Sequence, residues 1–211
     1  LMDVMIFIVS GTLAAATALI FAAMGELVAE KSGVLNLGIE GMMAIGAAMG
    51  FVALTLSGSY TVGFVAAAVL GCLLSLVHAV LTLVFRADQT ASGLAIGILG
   101  LGLSSAIGKS YEGRTVAGLP ELDLGPLSDI PIVGQMFFQQ DIMVYLSFVL
   151  VFATWYVLTR TKLGLVIRAI GESPENAHAL GLKVRLIRAG CVGFGGAMAG
   201  IGGAYMSTAY T

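Results

Sequence analysis

The chain of 211 residues is 58% hydrophobic and 10% charged, with a mean hydropathy of +1.01 and a formal net charge of −2. Soluble domains carry roughly 25% charged residues, so this composition makes lipid the expected solvent. No basic patch with interleaved aromatics points to nucleic acid, and Cys72 and Cys191, each inside an apolar run, suggest neither a disulfide framework nor a metal site.

Five windows lack Asp, Glu, Lys and Arg altogether: 4–25, 41–85, 89–108, 142–159 and 189–211. A spanning helix needs about 20 mostly apolar residues, and the second window holds two spans if the first begins upstream of Glu40. The expectation is an all-α polytopic membrane protein, a single domain over 1–211. Its six transmembrane helices fall near 3–24, 34–57, 60–85, 90–109, 141–159 and 189–211. The first run is no signal peptide, because it has no basic n-region and carries Asp3 at its start. The chain opens on Leu and stops at an apolar run, so it reads as a fragment of a longer polypeptide.

The second span begins VLNLGIEGMMAIGAAMG, which sets Asn36, Gly38, Glu40 and Gly41 at its entrance. Two readings stand. Glu40 lies in an interfacial first turn and caps or snorkels, or the helix is interrupted and its Gly-flanked polar residues line a translocation route. In the second reading residues 34–37 form an entry segment and the main helix starts near Gly38. The fourth span begins RADQTASGLAIG, where Thr90 or Ser92 caps the helix, or Gln89 and Ser92 join the same route, since a helix N-terminus suits a polar ligand group. Asn36, Glu40, Gln89 and Ser92 are therefore the candidate substrate-path residues. His78, in mid-span, has no second ligand at helical spacing and reads as a hydrogen-bonded packing residue.

Segment 111–141 is acidic and rich in turn formers (Gly118, Pro120, Gly125, Pro126, Pro131, Gly134). Segment 160–188 carries six basic residues against Glu172 and Glu175. Lys and Arg mark the cytoplasmic side, so 160–188 is expected inside and 111–140 outside, with Glu26–Lys31 and Arg86–Asp88 inside as well. Trp155 and Tyr156 then fall at the inner interface as aromatic anchors. Ser173 as N-cap, Pro174 at the first position, Glu175 in the first turn and Gly181 as a stop delimit a helix of about two turns, too short to stand alone in water. Glycines four apart, at 46/50, 93/97 and 196/200, predict close helix approach. The Gly193–Gly203 cluster is no phosphate loop, because no strand precedes it and no Lys-Ser or Lys-Thr follows.

Three stretches carry a resemblance: residues 167–207 (IRAIGESPENAHALGLKVRLIRAGCVGFGGAMAGIGGAYMS), 25–47 (GELVAEKSGVLNLGIEGMMAIGA) and 87–104 (ADQTASGLAIGILGLGLS). Together they resemble the permease subunits of bacterial ABC importers for simple sugars, nucleosides and branched-chain amino acids, with the nucleoside and simple-sugar branch nearest. The resemblance implies a coupling helix that docks on a cytoplasmic ABC ATPase. It carries over to Gly171, Glu172, Pro174, Glu175, Ala177, Ala179 and Gly181, with Ser173 and Asn176 between them. It further implies a second permease chain, here a heterodimer, an external substrate-binding protein, and a multi-pass location in the plasma (bacterial inner) membrane. ATP and Mg would belong to the partner subunit, leaving this chain without enzymatic activity, cofactor or metal. The expected cargo is a nucleoside or simple sugar. The alternatives are a branched-chain amino acid or an ion-coupled secondary transporter, for which Glu40 is the single embedded carboxylate.

Overall fold

A computed structural model describes residues 2–123 and 139–209. Six long helices dominate: α1 (Met2–Lys31), α2 (Ile39–Ser57), α3 (Tyr60–Leu83), α4 (Gln89–Gly108), α5 (Ile142–Arg160) and, after two shorter helices, α8 (Val184–Ala209). All six are long and apolar enough to cross a membrane, and the molecule is an all-α multi-pass membrane protein. The shorter helices are α6 (Lys162–Glu172) and α7 (Pro174–Ala179). A single 3-10 turn, Lys109–Tyr111, extends α4. The strands β1 (Glu121–Asp123) and β2 (Gln139–Asp141) pair antiparallel, Glu121 opposite Asp141. Gly125, Pro126, Asp129, Pro131 and Gly134 of the acidic segment lie outside the described residues.

Three boundaries differ from expectation. α1 runs on through Glu26 and Glu30 to Lys31, so the anticipated inner turn is helix. Glu and Lys are good helix formers, and Lys31 sits where the dipole favours a cation. The stop comes two residues later at Gly33, whose φ of +86° only glycine takes without strain. α2 starts at Ile39 rather than at 34, in line with the reading that makes residues 34–37 an entry segment. α8 begins at Val184, five residues earlier than the charge-free window allows, so Arg185 and Arg188 belong to its first turns.

α8 forms the centre, with α1, α2 and α3 packed around it; α4 covers α2, and α5 lies on α1. Close approach needs small residues on both partners. A side chain at Gly46 would strike the backbone of Gly200, one at Gly71 the Gly196 carbonyl, and one at Gly25 would come within 2.8 Å of the Gly195 carbonyl. Gly41 and Gly100 similarly bring α2 and α4 into backbone contact. Larger side chains fill the remaining space, among them the fully buried Met42, Val192 and Tyr205. Outward faces are apolar: Leu94, Ile98 and Leu101 on α4, and Phe148, Phe152, Trp155 and Tyr156 on α5.

At one end of the bundle α2 turns into α3, and Tyr205 Oη donates to Asp141 Oδ2 at 2.6 Å. The other Asp141 oxygen caps α5 by accepting from the Met143 and Val144 N–H groups. The opposite end gathers the end of α1, the starts of α2, α4 and α8, and both short helices. It also gathers eight of the ten basic residues, from Lys31 to Arg188.

Candidate functional site

The break between α1 and α2 exposes a physical problem. Helix ends leave backbone donors and acceptors unpaired, and lipid supplies no substitutes. Side chains from α1, α3, α4 and the break itself supply them. The Leu35 N–H donates to Gln89 Oε1 at 2.8 Å, and the Leu35 carbonyl lies 3.2 Å from His78 Nε2. The Asn36 N–H donates to Glu26 Oε1 at 2.9 Å, and the Gly38 N–H donates to Asn36 Oδ1 at 3.0 Å. A carbonyl can only accept, so the geometry assigns the His78 proton to Nε2 and leaves Nδ1 as an acceptor. Ser92 Oγ stands 3.4 Å from that Nδ1, but its single hydrogen has a shorter route to the Asp88 carbonyl at 2.7 Å.

Asn36, Gln89 and Ser92 are thus brought to one place, together with Glu26 and His78. Asn36 is 2% exposed and His78 fully buried. Glu40 is exposed in the first turn of α2 and makes none of these bonds. Neither Thr90 nor Ser92 caps α4; Asp88 does, accepting from the Ala91 N–H at 2.8 Å. Most polar capacity here is engaged by backbone. Among the described residues, the amide NH₂ of half-buried Gln89 and the Glu40 carboxylate are groups that none of these bonds engages. Glu26 Oε2 is buried with no hydrogen-bond partner among the described residues.

The second candidate region begins at Thr161. Its hydroxyl accepts from the Gly164 N–H at 3.2 Å and starts α6, a helix absent from the reading of 160–188 as a polar loop. α7 follows with Pro174 at its first position. Ser173 occupies the N-cap position, yet its side chain makes no capping bond; the Ala177 N–H reaches the Ser173 carbonyl instead. Gly181, at φ +82°, closes the helix, with its N–H on the His178 carbonyl and that of Leu182 on the Ala177 carbonyl.

The faces of α7 are distinct. Ala177 is 3% exposed and turned into the protein, whereas Glu175, Asn176, His178 and Ala179 are exposed and Leu180 is 82% exposed. Ala177 therefore seats the helix rather than presenting it. A cleft of about 820 Å³ runs beside α7 between the end of α3 and the start of α8, lined by Arg86, Glu175, His178, Lys183 and Arg185 among others. Gly171 is pressed against α1, since a Cβ there would strike the Lys31 carbonyl. Among the described residues no cluster of three or more His, Cys, Asp or Glu could hold a metal.

Two residues that sequence reasoning passed over belong here. Glu26 registered only as one of several charges near an inner turn. Arg188 registered only as one of six basic residues, because its partners are backbone carbonyls 18 and 156 positions away. Neither contact has a local sequence signal.

Residues 8–211 match the family model described as the branched-chain amino acid transport system / permease component. A putative glucose ABC transporter permease protein of Haloferax volcanii is 38% identical over 208 residues, covering 97% of this chain and 63% of that protein. A guanosine ABC transporter permease protein of Bacillus subtilis is 37% identical, covering 99% of this chain and 69% of its own length. A nucleoside ABC transporter permease protein of Lactococcus lactis is 33% identical, covering 96% and 67% respectively. The chain thus spans about two thirds of the length of these relatives. No solved structure matches it.

Proposed function

Since the chain belongs to the family of branched-chain amino acid transport system permease components, we propose that it forms part of the translocation path of an ATP-driven importer for a nucleoside or simple sugar. The observation that carries the reading is α7: a two-turn helix with fixed ends, seated by Ala177 and displaying Glu175, His178 and Leu180 at the basic end of the bundle. A helix this short gains stability only from what it packs against. Its buried face is satisfied within the chain, and its exposed face fits a cytoplasmic ATPase subunit that binds ATP and Mg and carries out hydrolysis. The positive-inside rule places this end in the cytoplasm of the cell bounded by the plasma membrane.

The names of the relatives, which print glucose, guanosine and nucleoside, support a nucleoside or simple sugar as the cargo class; an external binding protein delivers it in this reading. A second permease chain, a different one in this reading, completes the path. Gln89 and Glu40 are the groups with capacity left for a polyhydroxylated cargo. A branched-chain amino acid is the second reading, carried by the family's own description. The test is uptake into proteoliposomes holding the assembled permease, ATPase and receptor, supplied in turn with guanosine, glucose and leucine. ATP-dependent uptake of guanosine or glucose is expected. Leucine uptake alone selects the second reading, and uptake that follows an ion gradient without ATP refutes the importer.

A further inference from the structure

The guanidinium of Arg188 bridges two helix ends. Its Nε donates to the Ser32 carbonyl at 2.8 Å, just past the end of α1, and its Nη2 donates to the Ile170 carbonyl at 3.0 Å, in the last turn of α6. Both carbonyls lie where a helix carries its negative partial charge, and one planar cation meets both. Backbone contact reinforces the bridge. A Cβ at Gly33 would come within 2.7 Å of Arg188 Nη2 and 3.3 Å of the Gly171 Cα, so no side chain separates α6 from the end of α1.

The chain on either side of this bridge leads to both candidate regions. Toward the partner-facing side, Ile170 and Gly171 lead through Ser173 into α7. Toward the membrane, Ser32 leads through Gly33 and fully buried Val34 to Leu35, whose N–H and carbonyl are held by Gln89 and His78. Two residues, Gly33 and Val34, therefore separate the Arg188 contact from the polar junction. α6 cannot shift relative to α8 without moving Ser32 or breaking a bond to Arg188.

We propose, resting on the importer reading above, that Arg188 is a positioning residue that transmits movement of the α6–α7 unit to the α1–α2 junction. Its task is coupling, exerted through the Ser32 and Ile170 carbonyls. The experiment uses the assembled complex in proteoliposomes and reads three quantities: ATPase retained on purification, receptor-stimulated ATP hydrolysis, and substrate taken up. For Arg188→Gln, ATPase retention stays at the wild-type level, because the exposed face of α7 is untouched. Uptake per ATP hydrolysed falls by about tenfold, within the usual range of coupling between sites. Arg188→Lys, with donors but no planar fork, falls between the two. Gly33→Ala disturbs the same guanidinium from the opposite side and gives the same signature, which keeps the proposal testable if Arg188→Gln fails to assemble. Unchanged uptake per ATP in both Arg188→Gln and Gly33→Ala overturns the proposal. So does ATPase retention that drops in step with uptake, since Arg188 would then only shape the docking surface. A wild-type complex with no ATP-dependent uptake is a separate result, and overturns the importer reading.

Discussion

Asn36 has its backbone and side chain committed in different directions. Its N–H is spent on Glu26 and its Oδ1 on the Gly38 N–H, inside a bundle that admits little water. A buried donor left without its acceptor costs about 1–3 kcal/mol, whereas swapping one acceptor for another costs little. Glu26→Leu should therefore destabilise the detergent-solubilised protein by that amount, and Glu26→Gln, which keeps a carbonyl oxygen, by less. Thermal melting of the two variants side by side checks this, and equal melting temperatures would contradict it. Glu40 makes the contrast. Glu40→Gln leaves the melting temperature unchanged, and any change in uptake it produces reports on the path itself. The sequence marked Asn36, Gln89 and Ser92 as polar residues at span entrances. It could not say that Asn36 and Gln89 serve the Leu35–Gly38 backbone, because the need arises only where α1 and α2 fail to join, and the partner side chains come from up to 54 positions away.

The element most changed by its three-dimensional setting is α7. Its ends were readable, since Pro174 and Gly181 act locally. Its orientation was not, because one short turn against α6 and α8 decides which residue is hidden. Ala177→Arg would force a long charged side chain into a seat that holds a methyl group, so it should lower both the yield of folded protein and ATPase retention. Leu180→Asp changes a side chain that is 82% exposed. Folded yield should hold while ATPase retention on purification falls by about tenfold, the equivalent of about 1.4 kcal/mol of lost interface energy. If Leu180→Asp retains the ATPase as well as wild type does, α7 is not the docking element. α6 escaped notice for a related reason. With 11 residues and charges at both ends it is too short for a span, and the Thr161 cap that starts it lies inside a basic stretch already counted as loop.

Across the whole molecule, the six spans were legible because lipid demands long apolar runs, and their number follows from charge-free windows. Their arrangement was not. Spans that are apolar nearly all round carry no periodic face to show which helix meets which. The glycine spacings marked contact surfaces without naming the partners. Gly46→Leu should be a severe change for that reason, since its side chain would enter the α8 backbone at Gly200; the loss of folded protein is read by size-exclusion chromatography. The orientation is tested by single cysteines at two exposed positions, Lys162→Cys and Thr115→Cys, treated in intact cells with an impermeant thiol reagent. Thr115→Cys should label and Lys162→Cys should not, and the reverse pattern would invert the molecule in the membrane.

The central place of α8 also has a consequence for how the protein is made. Helices leave the ribosome in chain order, so α1, α2 and α3 enter the bilayer before the helix they surround has been synthesised. Their glycine-lined inner surfaces must wait, covered by lipid or by one another, with Ser32 and the α6 carbonyl lacking Arg188. Assembly is therefore gated by the arrival of the last described helix. A chain ending at Lys183 and released from the ribosome would hold five spans in the membrane around a vacant middle. Such an intermediate should be cut rapidly by membrane proteases, and the same chain extended through Ala209 should become resistant as the seat is filled.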